Sequence, residues 1–205
     1  MNNLEQEAIT LYNNGNLTAA LDKYEQILQQ NPTNANALLN QGVIYLQLDL
    51  IENALNSVLQ SLEIDENQFF AHYILALIFE RLGNIIDAAQ AYQNTIALNP
   101  QFIEAYNNLG NILYQDGKID LAESFYQQAI NINPQHLGSY INLGNILLAQ
   151  EKINDAINIY NQGLEIAPNH PDIINNLQLA EKLQNDSIFA LIYFGTELYK
   201  QEKYE

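Results

Sequence analysis

Apolar residues return along this chain at helical spacing, in runs of about 12–15 residues separated by short polar turns such as RLGN and QDGK. The runs come in pairs, and the pairs repeat. YNNLGNIL at 106–113 becomes YINLGNIL at 140–147, a step of 34 residues. Pro32, Pro100, Pro134 and Pro168 lie on one lattice of that period, with Glu66 in the vacant slot. Ala20, Ala54, Ala88, Ala122 and Ala156 form an unbroken second lattice. Tyr24, Tyr92, Tyr126 and Tyr160 form a third, completed by Val58. A fourth holds Gly42, Gly110 and Gly144, with Ala8 and Ala76 in the remaining places.

Each lattice has a physical meaning. Two amphipathic runs joined by a tight turn make a helical hairpin. The glycine and alanine positions let its two helices approach closely, and the aromatic position fills the space between hairpins. A proline just past the second helix stops it, because the ring cannot continue the hydrogen-bond ladder and restricts the preceding residue. One hairpin cannot bury its own apolar faces, so neighbours must stack.

With those residues in place, the chain resembles the tetratricopeptide repeat family. In the fourth repeat the family's pattern falls on Tyr106, Leu109, Gly110, Leu113, Ala122, Tyr126, Ala129 and Pro134. The resemblance implies an all-α fold, a right-handed superhelical solenoid of stacked antiparallel helix pairs. The expected repeats are 1–34, 35–68, 69–102, 103–136 and 137–170, the second degenerate at Val58, Ser61 and Glu66. Residues 171–205 are expected to form a partial sixth repeat or capping helices. Within them NDS offers a helix N-cap, and two countings of the rest stand side by side. Ala190 and Phe194 fit a second helix of repeat six, whereas YFGTELYKQEKYE, with Gly195, resembles the start of a fresh repeat. Ending at Glu205 suggests a piece of a longer chain.

Charge narrows the partner. Of 205 residues 24 are acidic and seven basic, a formal charge of −17, while 48 % are apolar, enough for a folded core. Such a surface disfavours nucleic acid and anionic lipid, which are bound chiefly through Lys and Arg. A neutral or basic protein segment fits better. Cysteine is absent, which rules out a disulfide framework. The N-terminus lacks the pattern of a signal peptide. The longest apolar run, FFAHYILALIF at 69–79, is eleven residues, against about 20 for a membrane span. A cytoplasmic location is expected.

No catalytic constellation emerges from the chain. HExxH, P-loop, GxSxG and GxGxxG motifs are absent. His72 falls at a core slot of its repeat. His136 and His170 share one turn position in successive repeats, about 8–10 Å apart by helix spacing, too far for a common zinc at about 2 Å from each. No catalytic residue, metal or cofactor is expected here.

Binding is the better prospect. By resemblance, the first helices of the repeats line a groove, and position 6 of each repeat faces it. That position holds Gln6, Asn40, Ile74, Asn108, Asn142 and Asn176, and position 9 adds Asn111 and Asn145 on the same face. Asparagine is a mediocre helix residue, yet its amide offers an acceptor and two donors that match a peptide's own C=O and N–H. With 29 Asn in 205 residues, composition alone is the competing explanation. An asparagine ladder of this kind lines the superhelix of O-linked N-acetylglucosamine transferases, which these NLGNIL motifs resemble. The family's carboxylate clamp is disfavoured. Its basic slots hold Asn2, Asn36, Phe70, Glu104 and similar residues, with Arg81 the one cation. Phe70 and Tyr73 either make an apolar pocket in the groove or are buried against repeat two. The expected role is a scaffold that binds an extended peptide segment. The alternative is the substrate-recruiting arm of a larger enzyme, with self-association through the C-terminal end a further possibility.

Overall fold

The structure, a computed structural model, describes residues 3–202. Asn2 and the last three residues of the tail lie outside them. Among the described residues the secondary structure is wholly helical: α1 (Asn3–Asn13), α2 (Leu17–Gln30), α3 (Ala35–Gln47), α4 (Ile51–Ile64), α5 (Phe69–Arg81), α6 (Ile85–Leu98), α7 (Ile103–Gln115), α8 (Ile119–Ile132), α9 (Leu137–Ala149), α10 (Ile153–Ile166), α11 (Pro171–Asn185) and α12 (Ser187–Glu202). They make an all-α solenoid of helical hairpins, divided into two compact units, residues 1–105 and 106–205.

One turn closes five of the hairpins, in both units. Gly15, Gly83 and Gly117 adopt positive φ near +75°, and Asp49 and Glu151 take the same conformation at φ 59° and 60°. The next N–H then reaches back five residues, as from Asn16 to the Leu11 carbonyl (2.9 Å) and from Lys152 to that of Leu147 (2.8 Å). This is the Schellman closure, which needs a left-handed residue past the helix end.

Between hairpins a different device operates. The side chains of Asn31, Asp65, Asn99 and Asn133 accept from the backbone N–H two residues on, at 2.9–3.3 Å. Such Asx turns stop the chain from continuing as helix. That is why α4 ends at Ile64 although Glu66 stands where other repeats have proline. Only some helix starts carry a side-chain cap. Asn16, Asn34 and Asp186 cap α2, α3 and α12 through their side chains, and Pro171 sits in the first turn of α11.

The cores follow the lattices. In unit 1, Ala8, Ala20, Tyr24, Ile27, Ala37 and Ile44 pack together. Degenerate repeat two packs as well. Val58 is fully buried against Gly42, and buried Ser61 donates to the Ala35 carbonyl at 2.7 Å. In unit 2 the core runs from Ala122 through Tyr126, Tyr140, Leu143, Ile146 and Tyr160 to Ile173, Ala180 and Leu183, with Ala190 and Phe194 of α12 against it. A Cβ on Gly110 or Gly144 would run into the ring of Tyr126 or Tyr160. The bare backbone at these two glycines is what seats the tyrosines.

Candidate functional site

Unit 2 gathers asparagines from the first helices of three successive hairpins. On α7, Asn111 stands where its Oδ1 accepts from the Tyr126 hydroxyl at 2.6 Å and from Asn142 Nδ2 of α9 at 3.1 Å. Asn142 Nδ2 also donates to Asn107 Oδ1 at 3.1 Å. One hairpin further on the arrangement returns. Asn145 Oδ1 accepts from the Tyr160 hydroxyl at 2.7 Å and from Asn176 Nδ2 of α11 at 2.9 Å. A buried tyrosine, a position-9 asparagine and the next repeat's position-6 asparagine thus form a unit that occurs twice.

The hydrogen-bond inventory fixes what remains available. An amide oxygen has two lone pairs and an amide nitrogen two protons. The oxygens of Asn111 and Asn145 are filled from within, so their Nδ2 groups are left as donors. Asn142 spends both protons on Asn107 and Asn111, so its Oδ1 is left as an acceptor; Asn176 spends one proton on Asn145 and keeps its Oδ1 and the other proton. The face therefore alternates donor and acceptor along the row of helices. Burial pushes the Tyr126 and Tyr160 hydroxyls well above the ordinary tyrosine range, with neighbouring Tyr114 and Tyr193 adding to it. Both stay protonated donors, and the polarity of the network is fixed.

The other residues singled out from the sequence are dispersed. Asn108 is half-buried beside the network on α7. Asn40 lies in unit 1, lining a cavity with Glu5, Ile9, Tyr24, Asn36 and Ala37. Phe70 and Tyr73 stack at 5.9 Å between centroids, and Phe102 meets the Tyr73 ring edge-on at 4.8 Å. Phe69 and Tyr92 complete this aromatic cluster, and Phe70 keeps 37 % exposure. Arg81 pairs with Asp49 at 3.1 Å, both well exposed. His72 is half-buried rather than a core residue, with Nε2 at 3.0 Å from the Glu66 carbonyl. His136 sits at the start of α9 with its Nδ1 2.8 Å from Ser139 Oγ.

Sequence reasoning missed Asn107 and the hydroxyls of Tyr126 and Tyr160, which it treated as packing alone. The signal was present at position 9. Asn at position 9 occurs only in repeats four and five; repeats one and three also carry Tyr at 24 and are followed by Asn at 6, but there position 9 is Ile9 or Leu77, and in the others it is Val43 or Leu179.

Comparison with known proteins agrees with this architecture. Family profiles described as tetratricopeptide repeat match residues 6–68 and 101–169, and one described as TPR repeat matches 82–117. The chain belongs to the tetratricopeptide repeat family. It is 29 % identical to Tetratricopeptide repeat protein 8 of Caenorhabditis elegans, across 56 % of this chain and 23 % of that protein. It is 28 % identical to the probable UDP-N-acetylglucosamine–peptide N-acetylglucosaminyltransferase SPINDLY of Hordeum vulgare, across 46 % of this chain and 10 % of that one. The chain thus spans under a quarter of the length of these two relatives. Among solved structures, that of MamA superposes with a TM-score of 0.72 at 25 % identity, covering 78 % of this chain and 94 % of its own. No described helix is long and apolar enough to cross a membrane.

Proposed function

We propose that the chain is a protein-interaction scaffold whose unit 2 binds an extended peptide through its backbone. The observation that carries this is the polarised amide row, whose internal bonds leave amide protons at Asn111 and Asn145 and amide oxygens at Asn142 and Asn176. A peptide in extended conformation offers the complementary alternation of C=O and N–H. Each neutral hydrogen bond contributes about 0.5–1.5 kcal/mol net. Four of them, less the cost of ordering the peptide, correspond to roughly micromolar affinity. With a net charge of −17, the chain favours a neutral or basic segment over an acidic one.

An array of unrelated 15-residue peptides, probed with the wild type and with an Asn142→Ala/Asn176→Ala variant, tests this. The expected result is binding by the wild type across diverse sequences and its loss in the variant, with circular dichroism unchanged. Equal binding by both proteins would refute it. A second reading, the substrate-recruiting arm of a larger enzyme, is favoured by the similarity to SPINDLY, of which this chain matches only 10 %. On that reading the same face holds the segment that a catalytic domain elsewhere modifies.

A further inference from the structure

Unit 1 carries an aliphatic patch that its core does not use. Leu48 and Leu50 flank Asp49 in the α3–α4 turn, and Leu82 and Ile86 lie at either side of the α5–α6 turn. Leu48, Leu50 and Leu82 keep 38 %, 46 % and 44 % exposure, and Ile86 keeps 87 %. The Arg81–Asp49 ion pair, at 3.1 Å, ties one turn to the other, so the side chains they carry are neighbours. The 34-residue repeat supplies the comparison. Three other hairpins place Asn14, Asp116 and Gln150 where Leu48 and Leu82 stand. They place Asn16, Lys118 and Lys152 at the position of Leu50, and Thr18, Asp120 and Asn154 at that of Ile86. The turn accepts polar side chains at all of these positions, so packing does not demand an aliphatic one. A single exposed aliphatic is ordinary, whereas a contiguous group of them marks a contact surface.

Charge selects the occupant. Residues 1–105 contain twelve acidic side chains and only two basic ones, Lys23 and Arg81. Both bases are engaged, Lys23 with Glu7 at 2.6 Å and Arg81 with Asp49. Exposed Glu52 and Asp87 follow Leu50 and Ile86 in the first turns of α4 and α6. A second copy would bring the same carboxylates, and a net charge of −17, against them. An anionic bilayer would be repelled likewise. Apolar side chains flanked by lysine or arginine are attracted instead. Spacing favours a helix. Leu48 and Leu82 hold one position in stacked hairpins, about 8–10 Å apart by helix spacing, and a helix returns its apolar stripe every two turns, about 11 Å.

We infer that this edge of unit 1 docks an amphipathic basic helix of a partner protein. Its apolar stripe lies on Leu48, Leu50, Leu82 and Ile86, and its lysines or arginines face Glu52 and Asp87. This surface does not depend on the amide row of unit 2. The probe is a five-turn helix of leucine and lysine, with leucine at i, i+3, i+4 and i+7 spacing. Its controls are a scrambled peptide of the same composition and a leucine–glutamate helix of the same pattern. Fluorescence anisotropy follows binding, and the methyl NMR signals of the four aliphatic residues locate it. In the variant Leu48→Gln/Leu50→Asn/Leu82→Gln/Ile86→Asn each position takes the residue of another hairpin, as at Gln150, Asn16 and Asn154, and the net charge is unchanged.

The expected result is saturable binding of the leucine–lysine helix, with methyl shifts at all four residues. The quadruple variant should weaken it by about tenfold or more, the worth of one buried aliphatic side chain, with circular dichroism unchanged. Both control peptides should bind the wild type more weakly than the leucine–lysine helix by a similar factor. Glu52→Gln/Asp87→Asn should have a smaller effect, about threefold, as exposed charge pairs do. The Asn142→Ala/Asn176→Ala variant should bind the probe as the wild type does, which separates failure of this surface from failure of the peptide-binding row. Equal binding by the wild type and the quadruple variant would reduce the effect to overall charge and overturn the assignment, as would the lack of saturable binding. Self-association in sedimentation, or binding to phosphatidylcholine vesicles, that the quadruple variant abolishes would also overturn it, in favour of a second copy or a membrane.

Discussion

The two units solve the same packing problem with different chemistry at one position. Both seat a tyrosine from the second helix against a small residue of the first, and both bury it: Tyr92 in unit 1 and Tyr160 in unit 2 have no exposed surface. In unit 1 the neighbouring position-9 residues are Ile9, Val43 and Leu77, and the Tyr92 hydroxyl turns to Glu80 instead, at 2.5 Å. In unit 2 that position is asparagine, and the tyrosine becomes the inner anchor of a polar network that surfaces as an ordered row of amides. Packing thus sets where the ring goes, and position 9 decides whether its hydroxyl orients anything.

The largest predicted effect ignores the difference. Tyr92→Ala and Tyr160→Ala each remove a buried ring and should each cost about 3–5 kcal/mol. Hydrogen exchange, which reports opening of each hairpin separately, should show losses of similar size in the two units. A far larger loss in unit 2 would mean that the network, not ring volume, dominates.

Next comes the network itself. Asn145→Leu gives unit 2 the character of unit 1 but strands the Tyr160 hydroxyl in a buried setting, at about 1–3 kcal/mol. Adding Tyr160→Phe should recover most of that in denaturant unfolding, because both polar partners are then gone. No recovery would contradict the assigned geometry.

Alkali probes the network by a third route. Tyr126 and Tyr160 have raised values in the folded state, so the fold favours their neutral forms. Their contribution is fully present below the unfolded tyrosine value of about 10 and is lost as pH climbs above it. Ultraviolet titration should show these two phenols ionising late. Tyr126→Phe/Tyr160→Phe should make the stability of unit 2 less sensitive to alkali.

The smallest effect lies at the turns. Glu151 holds a left-handed backbone that Gly117 occupies in the preceding repeat, so Glu151→Gly should stabilise by about 0.5–1 kcal/mol in thermal unfolding. Asp49→Gly in unit 1 should gain less, because it also removes the ion pair with Arg81.

How much of this is written in the sequence depends on the range of the interaction. Helix pairs, their turns and the tyrosine core follow from lattices of 34, since each lattice residue acts on neighbours a fixed number of positions away. The Asx turns at Asn31, Asp65, Asn99 and Asn133 are equally local and account for several asparagines that composition alone leaves unexplained. The site is harder to read. Position 6 marks a face, but which asparagines join depends on distances between helices and on how each amide divides its oxygen and nitrogen. Those features placed Asn111 and Asn142 in one network and left Asn40 in another setting, beside Glu5. The aromatic cluster around Tyr73 likewise depends on Phe102, 29 residues along the chain, which no repeat position announces.

Replacing backbone amides by esters in the tightest peptide from the array tests the central claim most directly. An ester keeps the side chains and the extended shape but removes one N–H donor. If the amides of unit 2 grip the backbone, single esters should weaken binding by roughly three- to tenfold, the worth of one neutral hydrogen bond, at positions two residues apart, measured by fluorescence anisotropy. Any residual binding by the Asn142→Ala/Asn176→Ala variant should be unchanged by the same esters. If esters are silent in the wild type while side-chain changes abolish binding, the row does not read the backbone and the account is wrong.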